Sequence, residues 1–314
     1  MPIKIPNDLP AVQTLQEENI FVMTETRAIT QDIRPLRLLL LNLMPKKIET
    51  ETQLSRMLGN TPLQIELTLC RMRSHAAQNT PMDHLLAFYK TFDEVKDERF
   101  DGMIVTGAPV ELLPFEEVDY WPELCRILDW SLTHVHSTLH LCWGAQAALY
   151  RHFGIEKRRL PQKLSGVYAH RAEYRQSILL RGFDDVFYVP HSRHTASDEA
   201  AVRATPELRV LASSEEAGLH LISTRGGRQF FAMGHAEYDP LTLDAEYRRD
   251  CAAGLSVPMP AHYYPGDDPS RPPVVRWRAH GSLLFTNWLN YFVYQTTPYD
   301  LTRLEDSPRP AEVE

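Results

Sequence analysis

The stretch Ser137-Thr138-Leu139-His140-Leu141-Cys142-Trp143-Gly144-Ala145-Gln146-Ala147-Ala148 decides how this chain is read. A β-forming run leads into a cysteine, a glycine follows two positions on, and an alanine-rich helix former comes next. This is the layout of a nucleophile elbow, where a tight turn lifts one side chain out of the end of a sheet. Gly144 gives the chain room to reverse. The helix that follows aims its positive end at the sulfur and favours thiolate. The N–H of Trp143 becomes a natural oxyanion donor. The pattern also prefers a small residue two before the nucleophile, where this chain has His140. On layout alone, Cys142 can equally be read as a small buried apolar side chain.

Upstream, Leu36-Arg37-Leu38-Leu39-Leu40-Leu41-Asn42-Leu43 is a short apolar run, read as a buried strand. Residues 49–58 read as a helix stopped at Gly59-Asn60. Residues 63–69 alternate as a strand, 82–89 read as a helix and 103–106 as a buried strand ended by Gly107-Ala108-Pro109. A helix at 121–132, a strand at 138–141 and a helix at 144–153 complete a repeated β-α order. That order predicts a parallel sheet covered by helices, with ligands beyond the carboxyl ends of its strands. Thr106 and Leu141 are two such ends.

The second half is more strand-like, at 185–189, 208–212 and 219–224. Gly226-Gly227 signals a hairpin between Leu221-Ile222-Ser223 and Gln229-Phe230-Phe231. Residues 242–251 read as a helix, 258–273 as a loop, and 282–294 as an aromatic-rich helix. Residues 1–34 are polar and without period, and read as an arm. Residues 35–314 read as a single α/β domain with insertions.

A thiol nucleophile needs a histidine, and the histidine a carboxylate. Of 13 histidines, His235 stands out. It follows the apolar run Phe230-Phe231-Ala232-Met233-Gly234, with Glu237 two positions later. In an extended chain residues i and i+2 point the same way. Glu237 can then hold one ring nitrogen while the other faces the sulfur. A surface histidine beside a surface glutamate is the bland alternative. His134, His136 and His152 read as packing or solvated groups on helices or loops.

Composition narrows the classes. With 314 residues, 43% hydrophobic and 24% charged, the chain can build an ordinary globular core. A net charge of −8 argues against nucleic-acid binding. No apolar run approaches the roughly 18 residues a membrane span needs, and residues 1–18 show no signal-peptide core. A cytoplasmic setting is expected. Cys70, Cys125, Cys142 and Cys251 match no zinc or CxxC spacing and are taken as reduced thiols. No metal or cofactor is expected.

Taken in order, several blocks resemble the homoserine O-acyltransferase family of methionine biosynthesis (homoserine O-succinyltransferase-like). They are Met1-Pro2-Ile3-Lys4-Ile5-Pro6, Leu41-Asn42-Leu43-Met44-Pro45-Lys46-Lys47-Ile48-Glu49-Thr50-Glu51, Thr106-Gly107-Ala108-Pro109, Cys142-Trp143-Gly144-Ala145-Gln146, Pro190-His191-Ser192-Arg193 and Gly234-His235-Ala236-Glu237-Tyr238. The resemblance implies a class I glutamine amidotransferase-like (flavodoxin-like) α/β fold. It implies Cys142 as acyl-thioester nucleophile, His235 as proton acceptor and Glu237 as its partner. It also implies Lys163, Ser192 and Arg249 as residues that hold L-homoserine, and a homodimer.

The expected reaction is ping-pong. Cys142 takes the acyl group from acyl-CoA, and His235 then deprotonates the homoserine hydroxyl. The oxyanion is expected between the N–H groups of Trp143 and Ala108. Glu111, just past the strand end at Thr106, is expected near the thioester. In the family resembled, glutamate here goes with acetyl-CoA and glycine with succinyl-CoA, which implies acetyl-CoA as co-substrate. A succinyltransferase, a glutamine amidotransferase-like cysteine hydrolase and a non-catalytic binding protein are the competing readings.

Overall fold

The structure is a computed structural model and describes residues 3–5, 22–24, 35–75, 79–298 and 301. β1 (Ile3–Ile5) pairs in parallel with β2 (Val22–Thr24); the rest of the expected arm lies outside the described residues. The body is one ten-stranded sheet in the order β5-β4-β3-β6-β7-β12-β11-β10-β8-β9.

The leucine run forms β3 (Leu36–Leu41). Its alternate residues serve opposite faces, as strand geometry demands. Leu39 and Leu41 join one core with Phe100, Val105, Leu124 and Leu149. Leu38 and Leu40 join the other with Leu54, Phe285 and Trp288. A strand covered on both sides buries both of its faces, which is why the run from Leu38 to Leu41 is continuous rather than alternating.

From β3 the chain runs through α1 (Lys47–Leu58), β4 (Ile65–Arg71), α2 (Met82–Phe88), β5 (Tyr89–Thr91), α3 (Phe92–Val95), β6 (Phe100–Val105), α4 (Trp121–His134), β7 (Val135–Leu141) and α5 (Trp143–Phe153). β3, β4, β5, β6 and β7 pair in parallel, and β12 (Gln229–Ala232) joins β7, also in parallel. The expected helix-covered parallel sheet is therefore present.

Beyond β12 the sheet becomes antiparallel. β8 (Lys157–Ala172) and β9 (Val186–Ser197) form a long outer ribbon. α6 (Glu199–Ala204) leads to β10 (Leu208–Ser214) and β11 (Gly218–Thr224), and β11 turns into β12 through the expected hairpin. The ribbon was not foreseen beyond 185–189. Proline speaks against an inner strand; Pro190 lies on the edge strand β9, and Pro161 in the irregular stretch of β8 between Arg159 and Leu164. α7 (Thr242–Ala252) follows the His235 segment. α8 (Arg278–Asn287) continues as a π-helical stretch, Trp288–Tyr294, across the sheet, where the Trp288 indole donates to Ser137 Oγ at 3.0 Å. His136 proves to be a buried residue of β7 rather than a helix or loop residue.

Candidate active site

β7 ends at Leu141, and Cys142 then takes φ 48° and ψ −117°. For a non-glycine residue this is a strained conformation of order 1–3 kcal/mol, kept only where the surroundings enforce it. They do so here. The Cys142 N–H still donates to Ala232 O at 2.7 Å, while its carbonyl already accepts from Ala145 and Gln146. Helix α5 thus starts within one residue of the strand. Gly144 permits this: a Cβ there would sit 2.5 Å from Thr106 O. Across the elbow, a Cβ on Gly107 would meet Cys142 Cβ at 3.3 Å. The Gly107-Ala108 turn therefore packs against Cys142. The Trp143 N–H heads α5 and has no intrahelical acceptor. His140, the unusual residue two before the cysteine, stacks on Phe231 away from the turn, with centroids 5.1 Å apart.

His235 is brought to Cys142 by β12. Its N–H donates to Pro190 O at 2.8 Å, and its Nδ1 lies 2.7 Å from Glu237 Oε1, both side chains being buried. The i, i+2 contact exists, but the chain is not extended as expected. It turns, with Tyr238 N–H donating to His235 O at 3.3 Å. The Tyr238 ring stacks on the imidazole, with centroids 4.2 Å apart. Because a carboxylate can only accept, Nδ1 carries the proton. The Cys142 sulfur is close enough to the ring to act on its charge. Burial works against a charged ring, but the adjacent sulfur and the Glu237 carboxylate outweigh it and hold the His235 pKa well above its ordinary value.

Behind this turn lie three buried histidines, His170, His191 and His220, whose ligand atoms fall within 4.8 Å of one another. Their hydrogen bonds run in sequence. His170 Nδ1 donates to Tyr168 O, leaving Nε2 to accept from His191 Nε2; His220 Nδ1 accepts from the Gly234 N–H. Burial pushes all three pKa values down. With His220 Nδ1 accepting, its Nε2 carries a proton, so the three lone pairs do not converge on a cation. The cluster is a neutral shelf beneath Gly234, where a Cβ would strike Val189 at 2.5 Å.

Lys163, Ser192 and Arg249 come from β8, β9 and α7, and the structure brings them together through two carboxylates that sequence reading missed. Lys163 Nζ is 2.8 Å from Asp250 Oδ2 and 3.9 Å from Glu246. Arg249 grips Asp250 Oδ1 with Nε and Nη2 at 2.9 and 2.7 Å. Ser192 Oγ donates to Glu246 Oε2 at 2.5 Å, and Tyr238 donates to its other oxygen at 3.0 Å. Glu246 and Asp250 are four apart on α7, so they share a face. That spacing was the available signal.

Glu111 lies where its Oε2 accepts from the N–H groups of His194 and Thr195 at 2.7 and 3.1 Å. Lys46 is exposed, 3.7 Å from Glu49. Lys47 is buried, donates to Asn42 O and Met44 O, and is lowered to about 8 by burial. Cys70 is buried, Cys125 half-buried and Cys251 exposed, and none of the four cysteines is in a disulfide. No described helix is long and apolar enough to cross a membrane.

A family model described as homoserine O-succinyltransferase matches residues 2–299. The chain is 59% identical to a homoserine O-acetyltransferase of Acetivibrio thermocellus, over 97% of the chain and 100% of that relative. It is 58% identical to a homoserine O-acetyltransferase of Brevibacillus brevis, over 96% and 98%. Among solved structures, a glutamine amidotransferase from Thermotoga maritima matches with a TM-score of 0.53 at 12% identity, over 83% of this chain and 100% of that one. One from Methylobacillus flagellatus matches at 0.51 and 12%, over 82% and 95%. At such identities the likeness is one of fold: a class I glutamine amidotransferase-like α/β sheet.

Proposed function

The chain belongs to the homoserine O-succinyltransferase family, and from that premise we propose that it carries an acetyl group from acetyl-CoA to L-homoserine through a thioester on Cys142. Homoserine O-acyl transfer for methionine biosynthesis is the activity of the family and of this chain. The finer reading is supported above all by one observation: a single buried imidazole is hydrogen-bonded to a carboxylate partner and lies within electrostatic reach of the elbow thiol.

In the first half-reaction the Cys142 sulfur attacks the thioester carbonyl. The oxyanion is received by the N–H groups of Trp143 and Ala108. The C–S bond to CoA breaks, and the CoA sulfur takes a proton from the His235 imidazolium. In the second, the homoserine hydroxyl gives its proton to His235 as its oxygen attacks the acyl-enzyme. The new C–O bond forms, and the Cys142 sulfur leaves. Glu237 holds the ring in one tautomer throughout.

Homoserine is a zwitterion, so its site needs both signs. Arg249 suits the carboxylate as a planar fork, with Lys163 beside it. Glu246 suits the ammonium, and Ser192 lies between. The acetyl preference rests on Glu111 and on the two acetyltransferase relatives. No tightly bound cofactor is needed, since CoA enters as a substrate. We place the enzyme in the cytoplasm as a homodimer.

The test is intact-protein mass spectrometry after mixing with acetyl-CoA alone. One added acetyl group is expected, lost on adding homoserine and absent in Cys142→Ala. A wild type that never labels and turns over only when both substrates are bound overturns the covalent route.

A further inference from the structure

Every second residue of β9 faces inward: Phe187, Val189, His191, Arg193, Thr195 and Ser197 are all buried. An arginine does not belong in that series by packing alone. Arg193 is 2% exposed. Its Nη2 donates to Ala217 O, while Nε and Nη1 are buried without a partner. A buried charge with unmet donors costs stability, so such a group persists where it serves something the resting structure lacks.

Its surroundings indicate what that is. The charged or ionisable groups near enough to act on it are the Cys142 sulfur, the Glu111 carboxylate and the Tyr168 hydroxyl. His170, His191 and His220 are close as well, but burial keeps them neutral. Glu111 does not take up the unmet donors. Its Oε2 is occupied by the N–H groups of the next two residues, His194 and Thr195. The strand backbone holds the carboxylate while the Arg193 side chain stays unmatched within electrostatic reach of Cys142.

We propose that Arg193 is a positioning residue of the acyl half-reaction: a fixed buried cation that stabilises negative charge on the Cys142 sulfur and offers two N–H donors to the acyl group carried there. This rests on Cys142 being the nucleophile. Negative charge sits on that sulfur twice per cycle, before it bonds the acyl carbon and again when that bond breaks in favour of the homoserine oxygen. The end of helix α5 supplies only about half an elementary charge. Arg193 supplies a whole one, in a site with little water to screen it.

The test uses the full-length enzyme and two alkylating probes of similar size, iodoacetate and iodoacetamide, with labelling at Cys142 read by peptide mass spectrometry. Relative to a free thiol such as N-acetylcysteine, Cys142 should favour the anionic probe. That preference should fall about tenfold in Arg193→Gln and persist in Arg193→Lys, since only the glutamine removes the charge. The burst of CoA release from acetyl-CoA should slow in the same order. An unchanged probe ratio in folded Arg193→Gln overturns the proposal. So does a wild-type ratio no higher than that of the free thiol, which decides the matter even if the glutamine variant does not fold. Should Arg193 merely balance Glu111, the pair Glu111→Gln/Arg193→Gln will acylate at the wild-type rate; on this proposal it stays slow. Absence of any acetyl adduct in the wild type would instead defeat the covalent reading, while the probe ratio still reports on Arg193.

Discussion

The carboxylate of Glu111 accepts the backbone N–H of Thr195 and lies 3.1 Å from its hydroxyl, although the two residues are 84 positions apart. The Thr195 hydroxyl and carbonyl in turn meet the Gln146 side chain, at 2.9 and 3.1 Å, on the first turn of α5. Glu111 is therefore held by β9 and, through Thr195, tied to the start of α5.

On the proposed reading, with Glu111 beside the acyl group, this anchoring sets acyl choice. A succinyl carboxylate about 5 Å from Glu111, at an effective dielectric near 20, is repelled by roughly 3 kcal/mol. That is roughly a hundredfold in rate. Wild type is expected to prefer acetyl-CoA, and Glu111→Gly to gain succinyl-CoA turnover. Measuring kcat/KM for both donors in both proteins checks it, and a wild type that prefers succinyl-CoA reverses the acyl assignment.

His235 and Glu237 should fail differently. Removing the base in His235→Ala is expected to cost about 10²–10⁴-fold in kcat. Glu237→Gln keeps a side chain of similar size beside Nδ1 and should retain measurable activity. Steady-state rates decide, and near-wild-type kcat in His235→Ala would remove it from the mechanism.

The carboxylates of α7 should matter only for the acceptor. Arg249→Ala and Glu246→Gln are expected to leave acetylation of Cys142 intact and to slow its discharge by homoserine. For a lost charge-assisted contact of about 1.5–3 kcal/mol, the effect is roughly ten- to a hundredfold. Rapid-quench measurement of the two half-reactions separates them; a Glu246→Gln protein that cannot be acetylated would place Glu246 in the fold or on the CoA side.

Acid should unfold the protein through its buried histidines. Burial holds His136 and His140 down to about 3 and His170 to about 4. In the unfolded chain they titrate near 6.5, so between that pH and their folded values the unfolded state binds more protons. Stability is complete above about pH 6.5 and is lost as pH falls, by about 2 kcal/mol per such histidine at pH 5. His235 has the opposite sign: its raised pKa contributes stability at low pH that is lost as pH rises through the folded value. Several depressed histidines outweigh one raised one, so Tm should drop from pH 7 to pH 5. His140→Phe should flatten that drop; an unchanged slope would mean His140 is not buried neutral.

The parallel half of the sheet was legible because both its faces are buried, which writes the strands as apolar runs such as Leu38-Leu39-Leu40-Leu41. The β8–β9 ribbon was not. Its edge strand β9 tolerates Pro190, its irregular stretch of β8 tolerates Pro161, and both carry many polar side chains, so it has no such signature. Missing it hid the parity of β9, and with it the fact that Arg193 points inward while Ser192 points to Glu246 on α7.

The sequence by itself determined the local chemistry: a cysteine between a strand and an alanine-rich helix, a glycine two residues on, and a histidine and glutamate two apart. These are short-range patterns, set by what a tight turn or a strand end sterically allows. Tertiary structure alone decided who meets whom. Gly144 is required because Thr106 O lies 2.5 Å from where its Cβ would be. His235 reaches Cys142 because β12 pairs with β7 in parallel and delivers both strand ends to one edge. Lys163, Ser192 and Arg249 share a site because Glu246 and Asp250 bind them there. Apart from the neighbouring Arg249–Asp250 pair, such contacts join residues tens of positions apart. No local preference encodes them; they arise only when the sheet closes and charges driven out of water must find partners.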